Sequence, residues 1–569
     1  MLARVVVDVT GVDKTFDYLV PELLAERIEV GCRVRVPLHG REVPGWVLTL
    51  LPPHEADIDV DRLLPIRKVS SVGPSAEIVA LIEWASHRWA SRRRPFFVSA
   101  SPQTNIARLG ASRYSPTVAS KGGSALQTLC ASGGGVVRVS PTSSGVEVTL
   151  AAAEAGPVLV VVPTVVRARR LAAECRRAGR TTAVLPDDWA AAAAGVDIAV
   201  GARSAVWASV PNLAGVVVID EHDDTLQEER APTWHARDVA IERARRANVP
   251  CLLVSPVPTV AAAHWAKDRV VAMPDAAKWP RVRVIDRNQD ERWASSLVTS
   301  DLIGLLRDHS KRVVCVLNVK GRARAVACDA CREVARCESC GAAVAALDAQ
   351  HFDCPRCATQ RPAVCLACGS QKTRAIRVGI TRLRDELEAA AGRPVQEVKP
   401  TTSALDPTAA IFVGTEAVLH RVDRADVVVF LDIDAELLAP RFRASEQALD
   451  LLVHGARLVP DGELVVQTTV PQHEVLMGIA RGDLSGHHAA ETERRRRLAL
   501  PPFGALAEIS GAGTPRIVEQ LSASLLVQVA VSNDRTLVRA ATWDDLGEAL
   551  RALERPKERV RIAVDPPGA

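Results

Sequence analysis

Eight cysteines, arranged as four C-x-x-C pairs within about forty residues, constrain the fold of this chain more than any other feature. Two cysteines three residues apart on a tight turn direct both sulfurs to one point, and two such turns complete a tetrahedral zinc site of four thiolates. Four pairs therefore predict two Zn²⁺ ions. Such closed sites are structural, because no coordination position is left for water or substrate.

The sequence between the pairs indicates which of them share a metal. Thirteen residues separate Cys340 from Cys354, and their pattern is typical of the strand, turn and strand of a zinc ribbon. We therefore expect the two inner pairs to bind one zinc and the two outer pairs to bind the other. The inner set is Cys337, Cys340, Cys354 and Cys357, and the outer set is Cys328, Cys331, Cys365 and Cys368. His351, within the hairpin, is expected at the surface rather than on the metal.

A disulfide framework and a redox pair are the alternative interpretations of these cysteines. Disulfides would require an oxidising compartment, and a single redox pair would leave six of the eight cysteines unexplained. The other five cysteines are scattered along the chain, as is usual in the reducing cytosol. The chain has no run of 18 apolar residues and no signal peptide, so we expect a cytoplasmic protein without a membrane partner.

Residues 1–103 form the first predicted domain, in which β-branched runs are separated by glycine and proline. It contains Phe16-Asp17-Tyr18, a notable segment because the chain has only two tyrosines. Aromatic side chains that flank a carboxylate can stack on a base and accept a hydrogen bond from a sugar hydroxyl. The alternative is a hairpin core with a capping aspartate, and the pattern alone favours it. The net charge is only +4, so any nucleic-acid binding must come from local patches.

Residues 104–135 are rich in Ser, Gly and Ala and are predicted to be a linker. Beyond them, short valine-rich strands alternate with helices rich in Ala and Arg, and this pattern occurs twice. It predicts an α/β fold with two lobes, each a parallel sheet with crossover helices. The expected bounds are 136–290 for lobe 1, 291–327 and 374–474 for lobe 2, 328–373 for the cysteine-rich insertion, and 475–569 for a C-terminal α+β domain.

Several segments resemble the primosomal protein N′ (PriA) family of bacterial replication-restart helicases. They are 15–21, 31–37 and 45–47 near the N-terminus, 201–205, 235–238 and 442–446 in the lobes, and 500–503 near the C-terminus, together with the cysteine-rich insertion. The resemblance implies two RecA-like helicase lobes with a two-zinc insertion, and a β-rich N-terminal domain in which Phe16, Asp17 and Tyr18 hold a DNA 3′ end. Relatives carry a winged-helix domain where this chain has its linker, so we expect that domain to be reduced or lost.

A helicase of this class needs a phosphate loop, GxxxxGK[ST], in which glycine amides and a lysine bind the phosphates. The corresponding segment retains Gly145. However, Val146 stands in the place of the lysine, and Glu147 stands where the hydroxyl that binds Mg²⁺ is expected. This loop is therefore not expected to bind ATP in the usual way.

The other nucleotide motifs are also altered. Asp220 and Glu221 correspond to the motif that holds Mg²⁺ and orients water, but family spacing puts Ile219 in the first acidic slot. In the last motif, Leu458 and Asp461 occupy the slots of the two arginine fingers, each of which is worth about 10³ to 10⁵ in rate. Without the lysine, the carboxylates are expected to lie on a solvated loop, and no catalytic residue is assigned.

These features predict a PriA-like protein that binds abandoned replication forks and single-stranded DNA, without helicase activity of its own. It would promote primosome assembly, with primosome proteins and the replicative helicase or its loader as partners, in the cytoplasm at the nucleoid. Binding of ATP and Mg²⁺ without hydrolysis is left open. One alternative is an active ATP-dependent 3′–5′ DNA helicase with an atypical nucleotide site, and another is a scaffold that no longer binds DNA.

Overall fold

The computed structural model describes the whole chain except residues 53, 55–61, 117–123, 290–296, 318–325, 332, 340–343, 347, 349, 355–358, 376–379, 533–534, 567 and 569. The chain forms two compact units. Unit 1 comprises Met1–Arg138, Ser144–Ala272 and Arg495–Pro567, and unit 2 comprises Val139–Ser143, Met273–Arg494 and Gly568–Ala569. Within the described residues, no helix combines the length and the apolar character needed to cross a bilayer.

The N-terminal part of unit 1 is an antiparallel sheet of five strands in the order β2-β1-β4-β3-β5. The strands are β1 (Leu2–Val7), β2 (Thr15–Leu19), β3 (Arg33–Leu38), β4 (Arg41–Leu51) and β5 (Lys68–Ser71), and the helices are α1 (Glu22–Ala25), α2 (Ala76–Arg88) and α3 (Arg94–Ala100). Alternate valines such as Val5 and Val34 are completely buried. Gly31 has φ +84°, and a Cβ there would lie 1.7 Å from the carbonyl oxygen of Pro74, so this close approach requires glycine.

Lobe 1, also in unit 1, is a parallel sheet of seven strands in the order β12-β6-β11-β10-β7-β9-β8. Its strands are β6 (Gly134–Arg138), β7 (Val158–Val161), β8 (Thr182–Leu185), β9 (Ile198–Gly201), β10 (Gly215–Ile219), β11 (Cys251–Ser255) and β12 (Val270–Ala272). Its helices are α4 (Ala125–Ala131), α5 (Val146–Ala152), α6 (Val165–Arg177), α7 (Trp189–Ala194), α8 (Ala236–Ala247) and α9 (Val260–Ala266). The central strands are buried along their whole length, as expected of a parallel sheet between crossover helices.

Lobe 2, in unit 2, is a second parallel sheet, with six strands in the order β13-β23-β22-β14-β21-β20. Its strands are β13 (Arg281–Asp286), β14 (Val313–Val316), β20 (Gln396–Val398), β21 (Ile411–Gly414), β22 (Val427–Phe430) and β23 (Glu463–Thr468). Its helices are α10 (Ser300–Arg307), α11 (Ile380–Ala391), α12 (Ala417–Arg421), α13 (Asp434–Leu437), α14 (Ala444–Leu458), α15 (Glu474–Arg481) and α16 (Ser485–Arg497). The predicted α/β lobes are thus confirmed in both sheets.

The cysteine-rich insertion between β14 and α11 consists of two small antiparallel sheets. One pairs β15 (Val326–Cys328) with β19 (Thr373–Ala375), and the other joins β16 (Ala345–Ala346), β17 (His351–Asp353) and β18 (Gln360–Pro362). The pairing of β16 with β17 confirms the strand, turn and strand predicted between the inner cysteine pairs.

The C-terminal part of unit 1 is an antiparallel sheet of four strands in the order β25-β26-β24-β27. Its elements are β24 (Ala505–Ser510), α17 (Thr514–Ser522), β25 (Val527–Ser532), β26 (Arg535–Ala540), α18 (Trp543–Arg551) and β27 (Arg561–Val564). The sheet and its helices are the α+β arrangement expected for this region.

Three predicted boundaries differ from the structure. Strand β13, expected in lobe 1, pairs in parallel with β23, so the second sheet begins at Arg281. Helix α4 lies within the predicted linker, where a reciprocal capping box between Ser124 and Gln127 starts it. Helix α15 and most of α16, expected in the C-terminal domain, belong to unit 2. Long-range strand pairing decides where the second sheet begins, and the local sequence pattern does not report it.

Aromatic and basic side chains join the three parts of unit 1. The ring of Trp46 stacks on Phe97 with centroids 5.2 Å apart, and the indole N–H of Trp189 donates to the carbonyl of Ala100 over 3.0 Å. The guanidinium of Arg88 lies 3.6 Å from the ring centroid of Trp543, which connects α2 with α18. The N-terminal sheet, lobe 1 and the C-terminal sheet therefore share one continuous apolar core.

Candidate functional site

The four outer cysteines meet at one point, as the sequence predicts. Strand β15 carries Cys328, and its sulfur lies 3.5 Å from that of Cys368. The sulfurs of Cys331 and Cys365 are 3.4 Å apart, and all four lie within 4.8 Å of one another. A disulfide would bring two sulfurs to about 2.0 Å, whereas a tetrahedral zinc with bonds of about 2.3 Å separates its sulfurs by about 3.8 Å. The cluster therefore fits a metal ion and not a pair of disulfides.

The backbone of this cluster favours a thiolate. Amide hydrogen bonds from Cys331 and Ala330 lower the pKa of the Cys328 thiol to about 6. The thiolate is the form that binds metals. The four residues can thus hold a zinc-like ion, which would supply structural cross-linking at this position and no open coordination site for chemistry.

The inner cysteine set is described in part. Cys337 and Cys354 are buried, 4% and 0% exposed, in a small core with Val344 and Phe352. Cys340 and Cys357 lie outside the described residues. The inner zinc therefore stays a prediction.

His351 is exposed on β17. Its imidazole lies 3.1 Å from the carboxylate of Asp348, which also accepts the backbone N–H of His351 over 2.8 Å. This placement agrees with the expectation of a surface residue in the hairpin.

The segment that corresponds to a phosphate loop rests on an apolar side chain. Gly145 precedes α5 with φ +79°, and a Cβ on Gly145 would lie 2.6 Å from Cδ1 of Ile219. Ile219 is the last residue of β10, and it is the residue predicted to occupy the first acidic slot. The hydroxyl of Ser144 donates to Glu174 over 2.7 Å. The side chains of Val146, at the start of α5, and of Ile219 are apolar and can bind neither a phosphate nor a metal ion.

The acidic segment after β10 is buried, and the prediction that it is a solvated loop is wrong. Its residues and exposed fractions are Asp220 (1%), Glu221 (0%), His222 (5%) and Asp223 (1%). The carboxylate of Asp220, which has φ +57°, forms an ion pair of 2.8 Å with Nε of Arg167 on α6. Burial of a charge requires such a partner, since an unpaired carboxylate is strongly destabilised away from water.

Two further members of the acidic segment, Glu221 and His222, bond to the last residue of β11 and to the residue that precedes α9. Glu221 accepts the N–H and the hydroxyl of Thr259, over 2.7 and 3.0 Å. His222 Nδ1 lies 2.8 Å from the hydroxyl of Ser255. Glu221 also lies 3.6 Å from Arg237. Burial opposes the charge of Arg237, but Asp238 and Glu221 outweigh burial and raise the pKa of its guanidinium.

Sequence reasoning missed Arg167, Ser255 and Thr259 as partners of this segment. Thr259 carries a detectable signal, since it immediately precedes the apolar start of α9 and caps that helix. No comparable signal identifies Arg167, which lies 53 positions before Asp220 in the chain. Only the parallel alignment of β7 and β10 brings the two side chains together.

The two residues predicted to occupy the arginine-finger slots, Leu458 and Asp461, differ in burial. Leu458, at the end of α14, is 5% exposed. Asp461 forms an exposed ion pair of 2.9 Å with Arg424. Arg457, the nearest arginine, donates through Nε to the carbonyl of Pro141 over 2.9 Å, and both residues belong to unit 2.

Strand alternation in β2 places Phe16 and Tyr18 on the same face of the N-terminal sheet and Asp17 on the opposite face. Tyr18 lies in the core of the N-terminal sheet, 4% exposed, and its hydroxyl donates to the carbonyl of Pro37 over 3.0 Å. Burial raises its pKa to about 12. Asp17 forms two hydrogen bonds of 2.8 and 2.9 Å with the guanidinium of Arg4. Phe16 is partly buried against the same core as Tyr18. Base stacking by Phe16 and hydrogen bonding by Asp17 stay predictions. The prediction that Tyr18 joins them in the pocket is wrong, because its ring is buried in the core of the sheet.

Comparisons with known proteins cover most of the chain. Residues 4–102 match the model of the 3′ DNA-binding domain of PriA. The chain is 30% identical to the probable replication restart protein PriA of Mycobacterium tuberculosis (strain CDC 1551 / Oshkosh), across 89% of this chain and 86% of that protein. It is 29% identical to the probable replication restart protein PriA of Mycobacterium leprae (strain TN), across 88% and 86%. It is 26% identical to the replication restart protein PriA of Bacillus subtilis (strain 168), across 55% of this chain and 43% of that protein. The chain therefore belongs to the PriA family of replication restart proteins.

Proposed function

We propose that this chain binds abandoned replication forks and promotes primosome assembly and loading of the replicative helicase, with lobes that act as a scaffold and not as a motor. The observation that carries the proposal is the ion pair between Arg167 and Asp220. In a helicase of this type the carboxylates of the acidic motif hold Mg²⁺ and orient the attacking water. In this chain a guanidinium from α6 supplies the positive charge instead, so the carboxylate has its counter-ion without nucleotide.

Three further features support loss of the motor. The loop before α5 has no lysine for the phosphates. Glu221, which would orient the attacking water, is 0% exposed and accepts two hydrogen bonds from Thr259. The arginine-finger slots contain a buried leucine and an aspartate. Each of these losses would have to be compensated separately in an active ATPase.

The N-terminal sheet would supply the contact with DNA, since it carries the match to the 3′ DNA-binding domain. Phe16 would stack on the terminal base, and Asp17, positioned by Arg4, would accept a hydrogen bond from the sugar. The insertion would hold two structural zinc ions through the outer and inner cysteine sets. Its rigid surface would then be available to primosome proteins and to the replicative helicase or its loader.

Two assays on the same fork DNA test the proposal. The first measures strand displacement with ATP and Mg²⁺, and the second measures loading of the replicative helicase in the presence of its loader. We expect loading to increase when this protein is added and displacement to stay at the level without protein. ATP-dependent displacement would support the alternative of an active 3′–5′ helicase. Failure to bind the fork at all would support the scaffold that does not contact DNA.

A further inference from the structure

We infer that the exposed face of α6 in lobe 1 is a second DNA contact, which binds the phosphate backbone of a duplex arm of the fork. This inference rests on the proposed function, because it requires that the chain binds forks. The helix is separate from the N-terminal sheet that carries the 3′ DNA-binding domain, although both belong to unit 1.

Helix α6 is amphipathic, with one buried apolar face and one exposed face that carries arginines. Its buried residues are Ala168, Leu171, Ala172 and Cys175. The residues on its outer face are Val166, Arg169, Arg170, Ala173, Arg176 and Arg177, and all of them are exposed. At 100° per residue, these six positions fall within one face of the helix. We call the four arginines of this face the α6 basic face.

The spacing of the α6 basic face suits a polyphosphate. Two adjacent pairs, Arg169/Arg170 and Arg176/Arg177, are seven residues apart, which is two helical turns or about 10.5 Å. A rigid helix therefore presents two paired guanidinium groups along one line. Arginine side chains bind phosphate oxygens through a planar fork of N–H donors.

Neighbouring acidic groups leave the face net positive. The acidic residue of α6 itself, Glu174, accepts a hydrogen bond from Ser144 at the edge of the face. Asp187 lies 3.2 Å from Arg169, and both side chains are about 60% exposed, at 59% and 64%. Asp188 lies 4.0 Å from Arg176. Exposed pairs of this kind are weak, so a phosphate can replace the carboxylate partner.

The composition of the face favours duplex DNA over a single strand. Proteins that bind single strands combine a basic groove with aromatic side chains on which bases stack. The only uncharged residues on this face are Val166 and Ala173, which cannot stack on a base. Recognition through the backbone alone is how proteins bind duplex DNA without reading its sequence.

The test compares two double variants in the full-length, zinc-loaded protein. Arg170→Gln with Arg177→Gln removes half of the α6 basic face, and glutamine retains good helix propensity. The control is Arg245→Gln with Arg246→Gln on α8, which removes the same charge from arginines that both bond to Glu242 within their own helix. Binding is measured on forks with duplex arms and on single strands, between 50 and 200 mM salt.

For duplex-armed forks, we expect the slope of log affinity against log salt to be smaller by about 1.8 in the α6 variant, or about 0.9 for each lost phosphate contact. Over that fourfold change in salt, the wild type then loses about tenfold more affinity than the variant. The control should retain the wild-type slope, and single-strand binding should be unchanged by either variant.

Equal slopes for the α6 variant and the wild type would overturn this inference alone. A wild type that binds no fork would overturn the proposed function as well, and a loss confined to single strands would contradict the assignment to duplex DNA.

Discussion

The guanidinium of Arg167 lies 2.8 Å from the buried carboxylate of Asp220, which directly follows strand β10. The two side chains are 23% and 2% exposed. The acidic motif is therefore part of the packed interior of lobe 1, and the charge of Asp220 is balanced within the protein.

Arg167→Ala should destabilise unit 1, because it leaves the carboxylate of Asp220 buried without this ion-pair partner. Removal of one member of a buried pair costs about 3–5 kcal/mol, and the partial exposure of Arg167 puts the expected value near the lower end. Urea unfolding measures the change. The matched control is Arg169→Ala on the exposed face of the same helix, which should change the free energy of unfolding by less than about 0.5 kcal/mol. Similar values for both variants would show that the pair contributes nothing.

Zinc content should be about two ions per chain in the wild type, following the two cysteine sets. Cys328→Ser with Cys331→Ser should reduce it to about one, because the remaining two sulfurs of the outer set cannot bind zinc tightly. Cys337→Ser with Cys354→Ser should likewise leave about one ion, held by the outer set. Elemental analysis of purified protein measures these ratios. A value well under two in the wild type, or complete loss in both variants, would contradict two independent sites.

Phe16→Ala should weaken binding to forks that have a free 3′ end. Stacking of one base on an aromatic ring is worth about 1–3 kcal/mol, which corresponds to about 5- to 150-fold in affinity. Forks with a blocked 3′ end should bind the variant and the wild type equally. Tyr18→Phe is the control, since the ring of Tyr18 is in the core and only its hydrogen bond to Pro37 is lost. If Phe16→Ala weakened binding to forks with free and with blocked 3′ ends equally, recognition of the 3′ end by Phe16 would be contradicted.

Unit 2 should lose stability at mildly acidic pH through His473, which caps α15 by accepting the N–H of Val475 over 3.3 Å. Burial lowers the pKa of His473 below its usual 6.5, although Glu474 partly opposes this. The unfolded chain therefore binds a proton at a higher pH than the folded chain, so this contribution is present above pH 6.5 and is lost as the pH falls below it.

His473→Asn tests this pH dependence, because asparagine is a good helix cap that does not titrate. The Tm of the wild type should fall relative to that of the variant between pH 7 and pH 5. His309→Asn, at an exposed position after α10, is the control and should follow the wild type. A constant difference in Tm between wild type and His473→Asn across this range would contradict the assignment.

Much of this architecture could be predicted from the sequence, for reasons visible in particular segments. Strands such as β7 and β10 are short, apolar throughout and separated by helices, which is typical of parallel sheets. The sequence identifies the outer set of cysteines, because the inner pairs flank a recognisable hairpin. These signals are local, and each depends only on residues close together in the chain.

The partners of charged residues could not be predicted in this way. Arg88 lies in a basic stretch that resembles a solvated helix end, yet it is 8% exposed and packs on Trp543 from the other end of the chain. The sequence predicts that Asp220 is a carboxylate in an exposed loop, but the parallel sheet places it next to Arg167 on α6. Whether a charge is buried depends on contacts between distant segments, which local sequence patterns do not show.

The most direct test of the scaffold account is phosphate release from ATP, measured with zinc-loaded wild-type protein, fork DNA and Mg²⁺. We expect the rate to equal that of the Asp220→Ala variant and to be unaffected by DNA, because the acidic motif already has its counter-ion and the phosphate loop lacks its lysine. DNA-stimulated phosphate release that disappears in Asp220→Ala would contradict the account and establish an active motor.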